Sequence, residues 1–209
     1  MKKILLAVAL TGLTTTAFAA DLKPYIEGSV GYSRPDDAKI SFVDNDGNGS
    51  YRANYDNDLN YGLEIGASNV LNPNIRLGAQ FIKYQFDQKS GSTTFGDGTI
   101  EADEQSDFEK MNAKVYLLNA YYDFNNTSKI TPFIGLGMGA ADVNGAKNNE
   151  FSWATHLGGK YNINDNLYLG LKGSYLRING GDVECNTVTN CKAQDTDVIS
   201  GNVLLGLQF

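Results

Sequence analysis

The stretch VISGNVLLGLQF, Val198 to Phe209, decides how the rest of the chain is read. Ile199, Gly201, Val203, Leu205, Leu207 and Phe209 form one phase. Ser200, Asn202, Gly206 and Gln208 form the other, with Leu204 the one greasy exception. A period of two places successive side chains on opposite faces of a β-strand. A last strand with one greasy face leaves an open row of amides and carbonyls unless another strand pairs with it. The reading is a strand that closes a barrel against the first strand of the mature chain.

Seven further stretches repeat the alternation. They are Pro24 to Ser33, Leu59 to Ser68, a strand starting at Ile75, one ending at Phe124, Pro132 to Ala140, Ser152 to Tyr161 and Leu167 to Tyr175. Short turns rich in Asn fall at Asn72 to Asn74, which also holds Pro73, at Asn125 to Lys129 and at Asn162 to Asn166. Longer polar stretches alternate with them: Arg34 to Asp58, the strongly acidic Asp87 to Glu109, Val143 to Glu150, and Asn179 to Thr196. Lys114 falls on the greasy phase of its strand, which leaves the start of that strand undefined. Short and long connections in strict alternation are the pattern of an all-β, eight-stranded antiparallel up-and-down transmembrane barrel, with both termini on the short-turn side.

The first residues stand outside that fold. Lys2 and Lys3, the apolar run Ile4 to Leu13 and the small-x-small site Ala17-Phe18-Ala19 read as a signal peptide over residues 1–19. Residues 20–209 are then the barrel domain. Removing Lys2 and Lys3 takes the formal charge from −7 to −9. Strong acidity argues against nucleic acid as a partner. With 23 glycines and 4 prolines, the composition suits strands and tight turns.

Alternation does not say which face meets lipid, because a soluble barrel has the same period. The greasy phase carries Tyr32, Tyr61, Phe81, Tyr116, Trp153 and Tyr175 near the loop ends. Phe124, Tyr161 and Phe209 lie at the turn ends. Two aromatic girdles mark a membrane barrel, and the export signal agrees. The inward phase then carries Glu27, Glu64 and Asp123 together with Arg76, Lys160 and Lys172. These read as a neutral salt-bridged layer in the lower barrel, since buried charges must pair.

No residue set presents catalytic chemistry. His156 is the single histidine, and it reads as an inward residue held by its neighbours. Asp44, Asp46 and Asn48 resemble the first half of a calcium loop, but Tyr55 stands where a bidentate Glu is required. A polar surface turn is the preferred reading there, with weak calcium binding the alternative. Cys185 and Cys191 are expected to form a disulfide in an exported protein. No cofactor is expected.

Taken together, the AFAA signal end, PYIEGSVGY (24–32), LLNAYYDF (117–124), PFIGLGMGA (132–140) and the closing Leu205, Leu207 and Phe209 resemble the small eight-stranded outer-membrane barrels of the OmpA/OmpX/opacity-protein superfamily. The resemblance covers the whole mature chain. It implies a Gram-negative outer-membrane location in contact with lipid and lipopolysaccharide. It also implies recognition of the last strand by the barrel-assembly machinery, with Leu205, Leu207 and Phe209 as the signal. Leu204 departs from that signal, which often has Gly at its position. The His-x-Ser arrangement of outer-membrane lipid A deacylases is absent, since Leu157 and Gly158 follow His156. The function this points to is a non-enzymatic, monomeric barrel. Its acidic loops would serve adhesion to a host or cell-surface ligand, or envelope integrity. A narrow solute channel is the alternative, and a lipid-modifying enzyme ranks third.

Overall fold

The computed structural model describes residues 22–44, 47–95, 98–102, 111–144, 146, 148–182 and 189–209. The expected signal peptide lies outside them. The strands are β1 (Lys23–Pro35), β2 (Ala38–Asp44), β3 (Gly47–Tyr55), β4 (Asp58–Ser68), β5 (Ile75–Phe86), β6 (Gln88–Phe95) and β7 (Gly98–Ala102). They continue with β8 (Met111–Asp123), β9 (Ile130–Val143), β10 (Glu150–Asn162), β11 (Leu167–Ile178), β12 (Thr189–Ala193) and β13 (Thr196–Gln208). Among the described residues there is no helix that could cross a membrane.

Eight strands close a barrel in the order β1-β13-β11-β10-β9-β8-β5-β4, and β4 pairs back onto β1. The last strand closes against the first, with Tyr25 opposite Gln208 and Val30 opposite Val203. The Phe209 amide then donates to the Pro24 carbonyl at 2.8 Å. Closure leaves the barrel wall without an unpaired edge. Asparagines stitch the short turns to their neighbours. The Asn74 side chain donates to the Asp123 carbonyl, Asn125 to Pro73, and Asn166 to Gln208.

The polar stretches are not simple loops. Parts of the first, second and fourth form a five-stranded sheet, β12-β2-β3-β6-β7. Adjacent wall strands run β13-β1-β4-β5, and the sheet repeats that order as β12-β2-β3-β6. Four neighbouring wall strands therefore rise above the barrel on one side, and β7 adds to the far edge. Each strand is interrupted once, at 36–37, 56–57, 87 and 194–195, and every break contains an aspartate. Asp disfavours strand interiors and hydrogen-bonds the nearby backbone, so it punctuates the ladder. The breaks are bridged from Asp36 N to Asp197 O and from Asp56 N to Asp87 O.

The greasy phase also changes sides. Below the upper girdle it faces outward: Val30, Leu136, Leu157 and Leu171 are all more than half exposed. Above Phe81 and Tyr116 the phases exchange. Ile82, Tyr84, Phe86, Val115, Leu117, Leu176, Ile178 and Val198 pack inside the upper barrel as one buried cluster. Arg34, Lys83, Lys114, Asp142, Arg177 and Asp197 take the outer face at that height. The wall thus behaves as a membrane barrel below and as a water-soluble barrel above. Lys114, undefined in the sequence, is the first outward residue of β8 beyond the girdle.

Candidate functional site

The lower barrel interior is built around a rung of like charges. Glu27 on β1 sits directly opposite Glu64 on β4, and both side chains are 1% exposed. Arg76 on β5 neutralises them, with Nη1 at 3.8 Å from Glu27 and 3.6 Å from Glu64. Its Nε lies 3.4 Å from Asp123. Lys160 Nζ reaches Asp123 at 2.7 Å, and Lys172 Nζ reaches Glu27 at 3.4 Å. The six ionisable residues singled out in the sequence are therefore one connected cluster of three acids and three bases.

Aromatic side chains complete the cluster, and the sequence reading gave them no role. Tyr25 and Tyr121 both donate to Glu64, and Tyr168 donates to Glu27 at 2.8 Å. The Arg76 guanidinium carbon lies 4.0 Å from the Tyr121 ring centroid and 5.2 Å from those of Tyr25 and Phe133. Arg76 is thus held by ion pairs and ring faces, the environment that suits a weakly hydrated planar cation. The signal was present: Tyr25, Tyr121 and Tyr168 sit on the same phase as Glu27, Asp123 and Lys172.

Inward glycines make room for these rings. A Cβ on Gly135 would stand 2.3 Å from Tyr121, and one on Gly206 would stand 2.0 Å from Tyr168. The Gly-rich inner face of β9 is therefore occupied space. Leu204, the exception in the closing strand, is fully buried with Tyr121 and Phe133. Below the cluster a polar vestibule of about 320 Å³ opens at the short-turn end, with Asp123, Lys160 and Tyr168 among its lining.

His156 lies just above the cluster, 3% exposed. Its Nδ1 is 2.9 Å from Ser174 Oγ and its Nε2 is 3.3 Å from Asn119 Oδ1. Asn119 in turn donates to Glu64 at 2.8 Å. Both ring nitrogens are committed to neighbours inside the wall. Leu205, Leu207 and Phe209 face outward, 54%, 44% and 70% exposed. Asp46 and Cys185 lie outside the described residues. Asp44 and Asn48 fall on the β2–β3 hairpin, where Asn48 pairs with Val43, and Cys191 is buried on β12.

The sheet above the barrel has two unlike faces. Lys192, Ser41, Ser50 and Thr94 share one rung across β12, β2, β3 and β6. The neighbouring rung holds Ala193, Ile40 and Tyr51 and belongs to the opposite face. Ala53 on that face is 2% exposed. Arg52 and Ser41 on the polar face are exposed.

Comparisons with known proteins agree with this architecture. The chain is 29% identical over 116 residues to outer membrane protein PagN of Salmonella typhimurium, which covers 45% of this chain and 48% of that protein. It is 30% identical over 96 residues to an uncharacterized protein of Brucella abortus, covering 36% and 34% of the two chains. The match thus spans less than half the length of these relatives. Among solved structures, OprG of Pseudomonas aeruginosa aligns with a TM-score of 0.53 at 16% identity, over 90% of this chain and 95% of OprG. The outer membrane protease OmpT of Escherichia coli aligns with a TM-score of 0.51 at 11% identity, over 94% and 99%. These likenesses show the fold. Residues 5–206 match the model of the outer membrane protein beta-barrel domain, and the chain belongs to that family of Gram-negative outer-membrane proteins.

Proposed function

We propose that this chain is a non-enzymatic display barrel, which holds its membrane-distal sheet above the outer membrane as an adhesive surface. The observation that carries this reading is the continuity of four wall strands into the sheet, in unchanged order. Loops organised this way are pre-ordered by a closed barrel, so a ligand meets a surface whose ordering cost is already met. The polar face, with Arg52, Ser41 and Lys192 exposed, supplies hydrogen-bonding groups along adjacent strands.

The interior supports display over conduction or chemistry. The Glu27–Arg76–Glu64 cluster fills the lower barrel, and the Tyr84–Leu176 cluster fills the upper barrel. His156 has both nitrogens engaged away from solvent. A fold shared with a protease does not itself confer proteolysis.

The test compares bacteria expressing the full chain with bacteria in which residues 37–56 are replaced by a tight Asn-Gly turn. Adherence to cultured epithelial monolayers is the readout, at matched amounts of folded barrel. The replacement removes the centre of the sheet and is expected to abolish the added adherence. Unchanged adherence would sink the reading.

A further inference from the structure

Of the three acids in the lower barrel, one is left short of hydrogen bonds. Glu64 accepts from Tyr25 on one carboxylate oxygen and from Tyr121 and Asn119 on the other. Glu27 accepts from Lys172 on one oxygen and from Tyr168 on the other. Asp123 is buried too, at 5% exposure, and its Oδ2 accepts from Lys160 at 2.7 Å. Its Oδ1 has no hydrogen-bond partner among the described residues. A buried acceptor without a donor is a standing cost to the fold. Lys160 is underused in the same way. An ammonium carries three donors, and Asp123 Oδ2 is the one acceptor that Lys160 engages among the described residues. The Arg76 donors also lack hydrogen bonds, but that guanidinium is enclosed by the rings of Tyr25, Tyr121 and Phe133.

The position of the underused pair is informative. Asp123 and Lys160 both line the polar vestibule at the short-turn end, whereas Glu27, Glu64 and Arg76 do not. Short turns mark the periplasmic side of an outer-membrane barrel. The vestibule, at about 320 Å³, falls in the size range of small-ligand sites. Asn125, Asn164 and Asn166 stand in its walls, and turn hydrogen bonds orient each of them. Asn125 and Asn166 donate through Nδ2 to the Pro73 and Gln208 carbonyls, which leaves their Oδ1 atoms to accept. Asn164 accepts through Oδ1 from the amides of Asn166 and Leu167, which leaves its Nδ2 to donate. The walls therefore present donors and acceptors on side chains that are already held, at little further ordering cost.

The chemistry of a ligand follows from the floor and the walls. It must bring a donor to Asp123 Oδ1 and, next to it, an acceptor to Lys160. Its net charge is zero. An anion would meet Asp123 and a cation would meet Lys160, and the two already neutralise each other. Two hydroxyls on neighbouring carbons of a sugar satisfy both requirements, since each hydroxyl can donate and accept. The remaining hydroxyls then meet the asparagine walls.

We propose that the short-turn vestibule is a binding site for a neutral sugar, with Asp123 and Lys160 holding two adjacent hydroxyls and Asn125, Asn164 and Asn166 holding the others. The proposal rests on the membrane placement of the barrel, which makes that end periplasmic, and not on the display reading.

The experiment uses the full mature chain folded in a phosphocholine detergent, which carries no sugar of its own. Methyl β-glucoside is the probe, and the side-chain amide resonances of the asparagines are the readout. In the wild type it is expected to shift those of Asn125, Asn164 and Asn166 saturably and to leave those of the membrane-distal sheet in place. Its tetra-O-methyl derivative keeps the ring but has no donor, and is expected to shift none of them. Glucuronate is expected to bind more weakly than the glucoside, because its carboxylate meets Asp123. D123N/K160Q removes both charges together and leaves two acids and two bases in the cluster. It is expected to bind the glucoside about tenfold more weakly, the scale on which charged hydrogen bonds exceed neutral ones. The wild-type titrations decide the proposal even if that variant fails to fold. No shift at the three asparagines, or equal shifts from the tetra-O-methyl derivative, overturns the site. Tighter binding of glucuronate overturns the neutral ligand, and unchanged affinity in folded D123N/K160Q overturns the role of the pair.

Discussion

Glu27 and Glu64 face each other across β1 and β4, two buried carboxylates on a single rung, and Arg76 lies within 3.8 Å of both. The lower barrel cannot hold that rung without the guanidinium. Removing one partner of a buried ion pair leaves an uncompensated charge and costs about 3–5 kcal/mol. Arg76→Met is expected to lower unfolding stability by that amount, measured by urea titration of the barrel in micelles. Adding Glu27→Gln and Glu64→Gln to Arg76→Met is expected to recover part of the loss. A triple variant no more stable than Arg76→Met alone would show that packing around Arg76, not charge, dominates.

Gly135 and Gly201 are both strand glycines with opposite surroundings. A Cβ at Gly135 meets the Tyr121 ring, whereas one at Gly201 has nothing within 4 Å. Gly135→Ala is expected to destabilise by about 1–3 kcal/mol through overpacking. Gly201→Ala is expected to be neutral or slightly stabilising. Tyr121 fluorescence is masked by Trp153, so the urea midpoint by circular dichroism is the suitable readout.

The filled interior predicts electrical silence. In planar bilayers the wild-type barrel is expected to give no discrete conductance steps, because the Arg76 cluster and the Tyr84–Phe86 layer lie in series. Reproducible steps from purified protein would revive the channel reading.

Phe209 contributes its amide to the closing hydrogen bond with Pro24, and the residue is 70% exposed at the lower girdle. Deleting it is expected to cut the amount of folded barrel in cell membranes severalfold. Refolding of the same variant in detergent is expected to proceed nearly as in the wild type. That split separates recognition by assembly machinery from intrinsic stability, and equal losses in both settings would assign Phe209 a structural role alone.

The sequence by itself determined the strands of the barrel wall, their number and closure, and the inward placement of Glu27, Glu64, Arg76, Asp123, Lys160 and Lys172. Those follow from a period of two, which each strand carries locally. Tertiary structure alone decided three things. One is that β2, β3, β6 and β12 exist as strands, because stretches rich in Gly, Asp and Asn become ordered only when a neighbouring wall strand offers its ladder. Another is that the greasy phase turns inward above Tyr116, since only the height of the membrane says which face must be apolar, and no single strand records that height. The third is the partnership of Glu27 with Glu64 across the rung and with Arg76 two strands away, which depends on register and closure. The closing strand shows both sides. Its alternation was plain in VISGNVLLGLQF, but Leu204 looked like an exception until the folded barrel placed it against Tyr121 and Phe133.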